Sequence, residues 1–448
     1  MDGRAWPTGL ENAAPGVESM NSDIEASAAS HDARPIMLLP AVIGFYFAFR
    51  IFFVVLAVHV LHADPQVGVA FSLVLNFLLL GVVVFDSLGP APRTVGEILR
   101  LPCLFWVLFF LGFSGCSLMW SVAASLPAAA AFWAAMAADV AIVVLLLRAG
   151  PVVEVSSSLM KGFVYGTCCI ALIAWIMPAQ SDLRLGDDEV IGPNAIGYVC
   201  AFAIFLAEYL IQVRHEQKRW RLPVLLLALT LLRSLSKTSI IAFAIGQTVI
   251  LFRNKSITWK TKTILIVGLL LTVVVFWGLL ASYYDAYTGG ANQVETLTGR
   301  VGIWLYILNE TVQSPWIGHG FHSVWKVIPP FGLDQFEARH AHNELLQQFY
   351  SYGAVGVLML TGLYLSFYRR ARKLSEPSLR VLLLGLLVFV IIRGLTDTET
   401  FDLTLPLWSI AMFSAIMAET NLSHPAQSVA SHAPEPGLAR PAPGESFG

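Results

Sequence analysis

The chain has 448 residues, 56% of them hydrophobic and only 13% charged, with a mean hydropathy of +0.68. Soluble globular domains do not reach that balance, so the composition places the protein in a lipid bilayer. The net charge of -2 gives no sign of a nucleic-acid partner, and none is expected.

Residues 1–34 are rich in Ala, Ser, Glu, Asp and Pro and contain no apolar block. A signal peptide would carry its apolar core near the start, so this segment reads as a disordered cytoplasmic tail. Residues 420–448 read the same way. Between them lies one membrane domain, 35–419. A spanning helix needs about 20 mainly apolar residues. About twelve stretches qualify: 36–61, 67–85, 98–117, 127–147, 159–177, 192–213, 222–234, 237–252, 263–282, 348–368, 381–397 and 403–419. The expected fold is therefore all-α and polytopic, with one long loop (about 283–347) between the ninth and tenth spans. The seventh and eighth spans are short, split by RSLSK (233–237), and suggest a tight hairpin. The cysteines, Cys103, Cys116, Cys168, Cys169 and Cys200, lie in or beside apolar runs and read as small packing residues.

Alternate loops differ in charge. One set carries Arg93, Arg100, Arg148, Lys161, Arg214, Lys218, Arg219, Arg221, Arg253, Lys255, Lys260, Lys262, Arg369, Arg370, Arg372, Lys373 and Arg380. The other carries Arg184, Arg233, Lys237, Arg300, Lys326 and Arg339. The positive-inside rule puts the first set, and both termini, in the cytoplasm. It accounts for the inner cations without invoking function, and leaves the few outer ones to be explained. Within the spans, Arg50 and Asp139 are costly in lipid and would face the bundle, either as a structural pair or with a role in binding a lipid phosphate. Glu208 would snorkel near the cytoplasmic face. Arg393, near the outer end of the eleventh span, has Asp397 one turn on and Glu399 just beyond. They form either a plain helical ion pair or a third cation lining a cleft.

In the long outer loop, Val301, Trp304, Leu305, Leu308 and Val312 follow helical spacing. They predict an amphipathic helix over 299–313, lying on the membrane or the bundle, with Thr298 as N-cap and Pro315 as stop. Arg300 would then sit at the positive end of a helix dipole, an unfavourable place unless an anion docks there. The alternative is an arginine that points into water. His319 and His322 follow in WIGHGFHSVW. A metal site built from these two with His340 and His342 has suitable HxH spacing, but no Cys or HExxH supports it, and neither a metal nor another cofactor is expected.

The loop closes on HAHNELLQQFYSYGAVGVLML (340–360). Asn343 is a good N-cap for a helix that runs into lipid, with Gly353 and Gly356 allowing close helix packing. His342 would sit at the positive end of that helix, which favours its neutral, proton-accepting form. Such a histidine beside an outer cationic cleft suits a general base. Otherwise it merely caps the bundle.

His342-Asn343, then nine residues, then Gly353-Ala354-Val355-Gly356 resembles the signature of the O-antigen ligase superfamily, which also contains exopolysaccharide polymerases. LMWSVAASL (118–126), RLGDDEVIGPNAIG (184–197) and LTGRVGIW (297–304) resemble its other outer-face segments. The likeness runs over about 36–419 and includes neither tail. LLRSLSKTSIIAF (231–243) has Ser-Lys where many relatives suggest Ser-Arg, a departure that bears on the acceptor. The resemblance implies a glycosyltransferase in the bacterial inner membrane, working at the periplasmic face. Its donor would be a glycan on undecaprenyl pyrophosphate, and its acceptor lipid A-core sugar or a growing polysaccharide. Arg184 and Arg300 would hold the pyrophosphate, and His342 would take or orient the acceptor proton. The other outer groups, Lys237, Arg233, Asn343, Arg393, Arg339 and His340, would line the substrate site. A transporter or flippase of the same lipid-linked sugars is the alternative. It would place its substrate near the midplane, often between two related halves, and no internal repeat is evident.

Overall fold

The computed structural model describes residues 37–177, 184–186, 191–254, 258–260, 262–264, 267, 297–325, 327, 340–398 and 403–423. The chain divides into Met1–Met37, of which only Met37 is described, and Leu38–Gly448, which holds every described helix. The described residues form helices and no strands. In lipid the backbone must satisfy its own polar groups, and a helix does so within a single segment.

The first span is broken. Helix α1 (Leu38–Phe49) meets α2 (Phe52–Val55), which continues as a π-helical turn, Leu56–Val60, and the two parts are bent by 51°. The chain then runs through α3 (Pro65–Asp86), α4 (Val95–Leu99), α5 (Pro102–Ser117), α6 (Leu126–Ala149), α7 (Val152–Ile176) and α8 (Pro193–Gln212). Proline opens α3, α5 and α8, where its missing N–H costs nothing. Asp64 and Ser125 cap α3 and α6 through their side chains.

Close packing follows from small residues. A Cβ on Gly44 of α1 would overlap the Leu159 carbonyl, and one on Gly162 of α7 would overlap that of Ala41. The two helices therefore approach backbone to backbone. Trp408 in α14 (Thr404–Ser423) fills the space between α1, α7 and α8, touching Phe47, Phe163 and Phe202. Helix α8 is the most enclosed of the long apolar helices, at 72% buried, against 17% for the peripheral α3.

Among the described residues, six helices are long and apolar enough to cross a membrane, or seven if the bent α1–α2 pair counts as one. That count does not confirm the twelve spans expected from hydropathy. Helix α5 has 16 residues, and α9 (Gln217–Arg233) and α10 (Lys237–Arg253) have 17 each. Helix α14 is not among the six, and most of 263–282 lies outside the described residues. The hairpin expected at 233–237 is not tight. Helix α9 packs on α8 and α7, whereas α10 packs mainly on α13 (Pro377–Gly394). Leu235, at φ 54°, turns the chain, and Ser236 caps α10, so the two halves diverge onto different partners.

Between α10 and the histidine segment lies α11 (Leu297–Thr311), which begins before Thr298 rather than after it. Of the apolar positions read from the spacing, Trp304 packs on the bundle. Ile303 and Ile307 are fully buried against Val324, Ala341 and Tyr350, whereas Val301, Leu305, Leu308 and Val312 are exposed. The helix is apolar on two sides, and periodicity alone does not say which side meets the bundle.

Helix α12 (Glu344–Ala371) is capped by Asn343, whose side chain accepts from Leu346 N at 3.1 Å, as expected. Gly353 acts differently from the expected helix packing. Gly353 has φ 62° and ψ -150°, a break inside the helix, and a Cβ there would strike the Trp316 backbone. The freed backbone groups are taken up by the preceding loop. Ala354 N and Val355 N donate to Pro315 O and Trp316 O at 2.8 and 3.2 Å. Tyr350 O and Ser351 O accept from His319 N and Gly320 N at 3.0 and 2.8 Å. Gly353 thus lets the segment 315–320 plug into the helix.

Candidate functional site

The site is built on the four residues that follow α13. Leu395 O accepts from Asn343 Nδ2 at 2.9 Å, and Thr396 O accepts from Arg300 Nη1. Asp397 Oδ1 lies 3.2 Å from His340 Nε2 and 3.1 Å from His342 Nδ1, while its Oδ2 lies 3.5 Å from Arg393 Nη2. Thr398 Oγ1 donates to Glu344 Oε2 at 2.5 Å, and Gln348 Nε2 donates to Glu344 Oε1 at 2.9 Å. One short segment therefore ties together the start of α11, the start of α12 and the end of α13.

The histidine loop is pinned from both sides. Trp304 Nε1 donates to Ala341 O at 3.0 Å, and Gln347 Oε1 accepts from Ala341 N at 2.8 Å. His342 takes φ 51°, a left-handed conformation uncommon for a side-chain-bearing residue. Such backbone is held only where the surroundings over-determine it.

Burial would raise the Asp397 carboxyl, but the Arg393 guanidinium and the two imidazoles hold it well below the usual carboxylate range. Burial pushes His342 down to about 4, helped by His340 and Arg300 and opposed by Asp397. The pair at neutral pH is thus carboxylate and neutral imidazole. An ionised carboxylate only accepts, so the ring nitrogens facing it, His342 Nδ1 and His340 Nε2, carry the protons. That leaves His342 Nε2 with its lone pair.

Arg300 is 9% exposed, and its Nε is buried with no partner among the described residues. The other cations are gathered by α8. Asn194 Oδ1 accepts from Arg184 Nη2 at 3.2 Å and from Ser236 Oγ at 2.9 Å, which joins Arg184 to the α9–α10 turn. One turn further on, the Tyr198 ring lies 4.0 Å beneath the Arg393 guanidinium. Arg233 and Lys237 flank Ser236 at the end of α9 and the start of α10. Arg339 lies outside the described residues.

His319 and His322 serve the fold. His319 stacks on Tyr350, its ring centroid 4.4 Å away. His322 sits beside Phe132 and Trp325, and burial lowers its pKa to about 4. Neither joins the group among the described residues whose geometry could hold a metal, which is His340, His342 and Asp397. Arg393 and Arg300 make that group's surroundings cationic, which favours an anion over a metal ion.

Sequence reasoning gave Asp397 to Arg393 alone, and it missed Asn194, Tyr198, Glu344 and Thr398 as site partners. The Asp397–Arg393 link is legible as i,i+4 spacing. The links from Asp397 to His340 and His342 cross more than fifty residues and leave no periodic trace.

The fold and site together define a multi-pass helical membrane protein with a cluster of His, Arg and Asp beside the ends of its helices. Residues 222–361 match the model of the O-antigen ligase family, which supports that family and, in general terms, a ligase- or polymerase-type glycosyltransferase acting on lipid-linked glycans. The matched stretch contains Arg300, His340, His342, Gly353 and Gly356 and ends before Arg393 and Asp397. No curated protein matches the chain.

Proposed function

We propose that the protein moves a glycan from undecaprenyl pyrophosphate to a sugar hydroxyl at the periplasmic face of the bacterial inner membrane, in O-antigen ligation or polysaccharide polymerisation. The acceptor is lipid A-core sugar or the end of a growing chain. His342 Nε2 takes the hydroxyl proton as the acceptor oxygen bonds to the anomeric carbon. The bond from that carbon to the pyrophosphate oxygen breaks, and the pyrophosphate leaves with the electron pair. Arg300 and Arg184 receive its charge, where fixed donors are worth most. Asp397 holds the His342 ring and stabilises the imidazolium as it forms. Arg393, His340, Asn343, Arg233, Lys237 and Arg339 shape the surrounding substrate site.

The observation that carries this reading is the buried Arg300, whose Nε has no partner among the described residues, anchored one residue away from the carboxylate that holds His342. The test is transfer by purified protein from an undecaprenyl-pyrophosphate oligosaccharide, with and without lipid A-core. Transfer that H342A lacks supports the reading. Growth without lipid A-core marks a polymerase, and transfer only with it marks a ligase. Full activity in H342A removes the site assignment.

A further inference from the structure

A groove of about 440 Å³ lies at the opposite, cation-rich end of the bundle, between the first turns of α5 and the last turns of α12. Its apolar wall is Trp106 and Leu365, with Gly362 against the indole. A Cβ at Gly362 would overlap the Trp106 ring, so the glycine keeps the wall closed. Ser366 lies midway, and Arg369, Arg370 and Lys373 form the mouth. With a helical rise of 1.5 Å per residue, Gly362 and Arg369 are about 10 Å apart along the axis. The groove therefore runs from hydrocarbon depth to the headgroup level.

Several basic side chains at this end have partners. Arg93 pairs with Glu419 at 2.6 Å, Lys161 with Glu216 at 2.6 Å, and Arg219 donates to the Tyr165 hydroxyl at 2.8 Å. Arg380 donates to Leu374 O at 3.1 Å. Arg369, Arg370 and Lys373 form no ion pair or side-chain hydrogen bond with any described residue. A helix C-terminus tolerates cations, and the inner-face bias supplies them. Both account for cations at this end, but neither requires three of them to line one groove with an apolar wall.

We propose that this groove binds an anionic phospholipid, its phosphate held by Arg369, Arg370 and Lys373 and the upper part of an acyl chain against Trp106 and Leu365. Basic pockets between spanning helices recognise such headgroups by charge, and the hydrocarbon wall excludes a ligand that is only an anion.

The test is native mass spectrometry of the full chain, titrated with cardiolipin or phosphatidylglycerol beside phosphatidylcholine and, separately, inorganic phosphate. Wild type should retain the anionic lipids preferentially. The triple variant R369Q/R370Q/K373Q should lose them by on the order of a hundredfold in affinity. The charge-keeping pair R369K/R370K should retain them. So should K218Q/R221Q/R253Q, which removes the same charge from exposed positions elsewhere at this end. Equal loss in both triple variants, no preference over phosphatidylcholine, or displacement by millimolar inorganic phosphate would each overturn the proposal.

Discussion

His342 Nδ1 faces Asp397 Oδ1 at 3.1 Å, across 55 residues of sequence. A carboxylate at that nitrogen fixes the tautomer and turns the basic nitrogen outward. If His342 acts as the general base, H342A and H342Q should each lose about 10²–10⁴-fold in kcat with little change in thermal stability. Activity and melting measured on the same preparations would check this. A variant that loses folding and activity together would instead point to a structural histidine.

The same pair sets a pH dependence. His342 titrates near 4, so the acid limb of kcat/KM should fall well below the ordinary histidine value of about 6.5. Asp397 raises the imidazole pKa, so D397N should move that limb to still lower pH and reduce the plateau. A limb that stays in place in D397N would assign it to another group.

Stability should vary with pH in a defined window. The folded pKa values of His342 and His322 are depressed to about 4. Between about 6.5 and 4 the unfolded chain therefore binds more protons than the folded one. The stability these residues contribute is whole above the unfolded value and is lost as pH falls through the folded one, by about 3 kcal/mol each. Melting temperatures in detergent should drop across that interval, and by less in H322F.

Gly353 should resist substitution. Its φ 62° and ψ -150° fall in a region that is essentially glycine's alone, and a Cβ would meet the Trp316 backbone. G353A should cost about 1–3 kcal/mol from backbone conformation, with the clash added. Gly302, with open space at its Cβ position and helical backbone, should accept Ala. Comparing the melting of G353A with that of G302A separates a special backbone from general intolerance.

In the first span, Arg50 Nη1 bonds Asp139 Oδ2 at 2.7 Å, and Asp139 is fully buried. Removing the carboxylate from that pair with D139A should cost about 3–5 kcal/mol. The pair lies outside the histidine cluster, so transfer per folded molecule should persist. Loss of turnover at full stability would give it a role in the reaction.

Composition decided the class of fold, because a chain this apolar must satisfy its backbone within helices. Local chemistry decided the Asn343 cap, the Pro-led helix starts, and the placing of Arg300 and His342 at the starts of two helices. The pairing of Arg50 with Asp139 was also legible, since lone charges in a bilayer must find each other. The tertiary structure decided the rest. It decided which apolar side of α11 is buried, since two faces of similar character compete. It gave Gly353 the role of a break, because only the approach of the Trp316 backbone requires one. It also made Asp397 the partner of His340 and His342, because the end of α13 is brought to the start of α12 by helix packing rather than by any spacing along the chain.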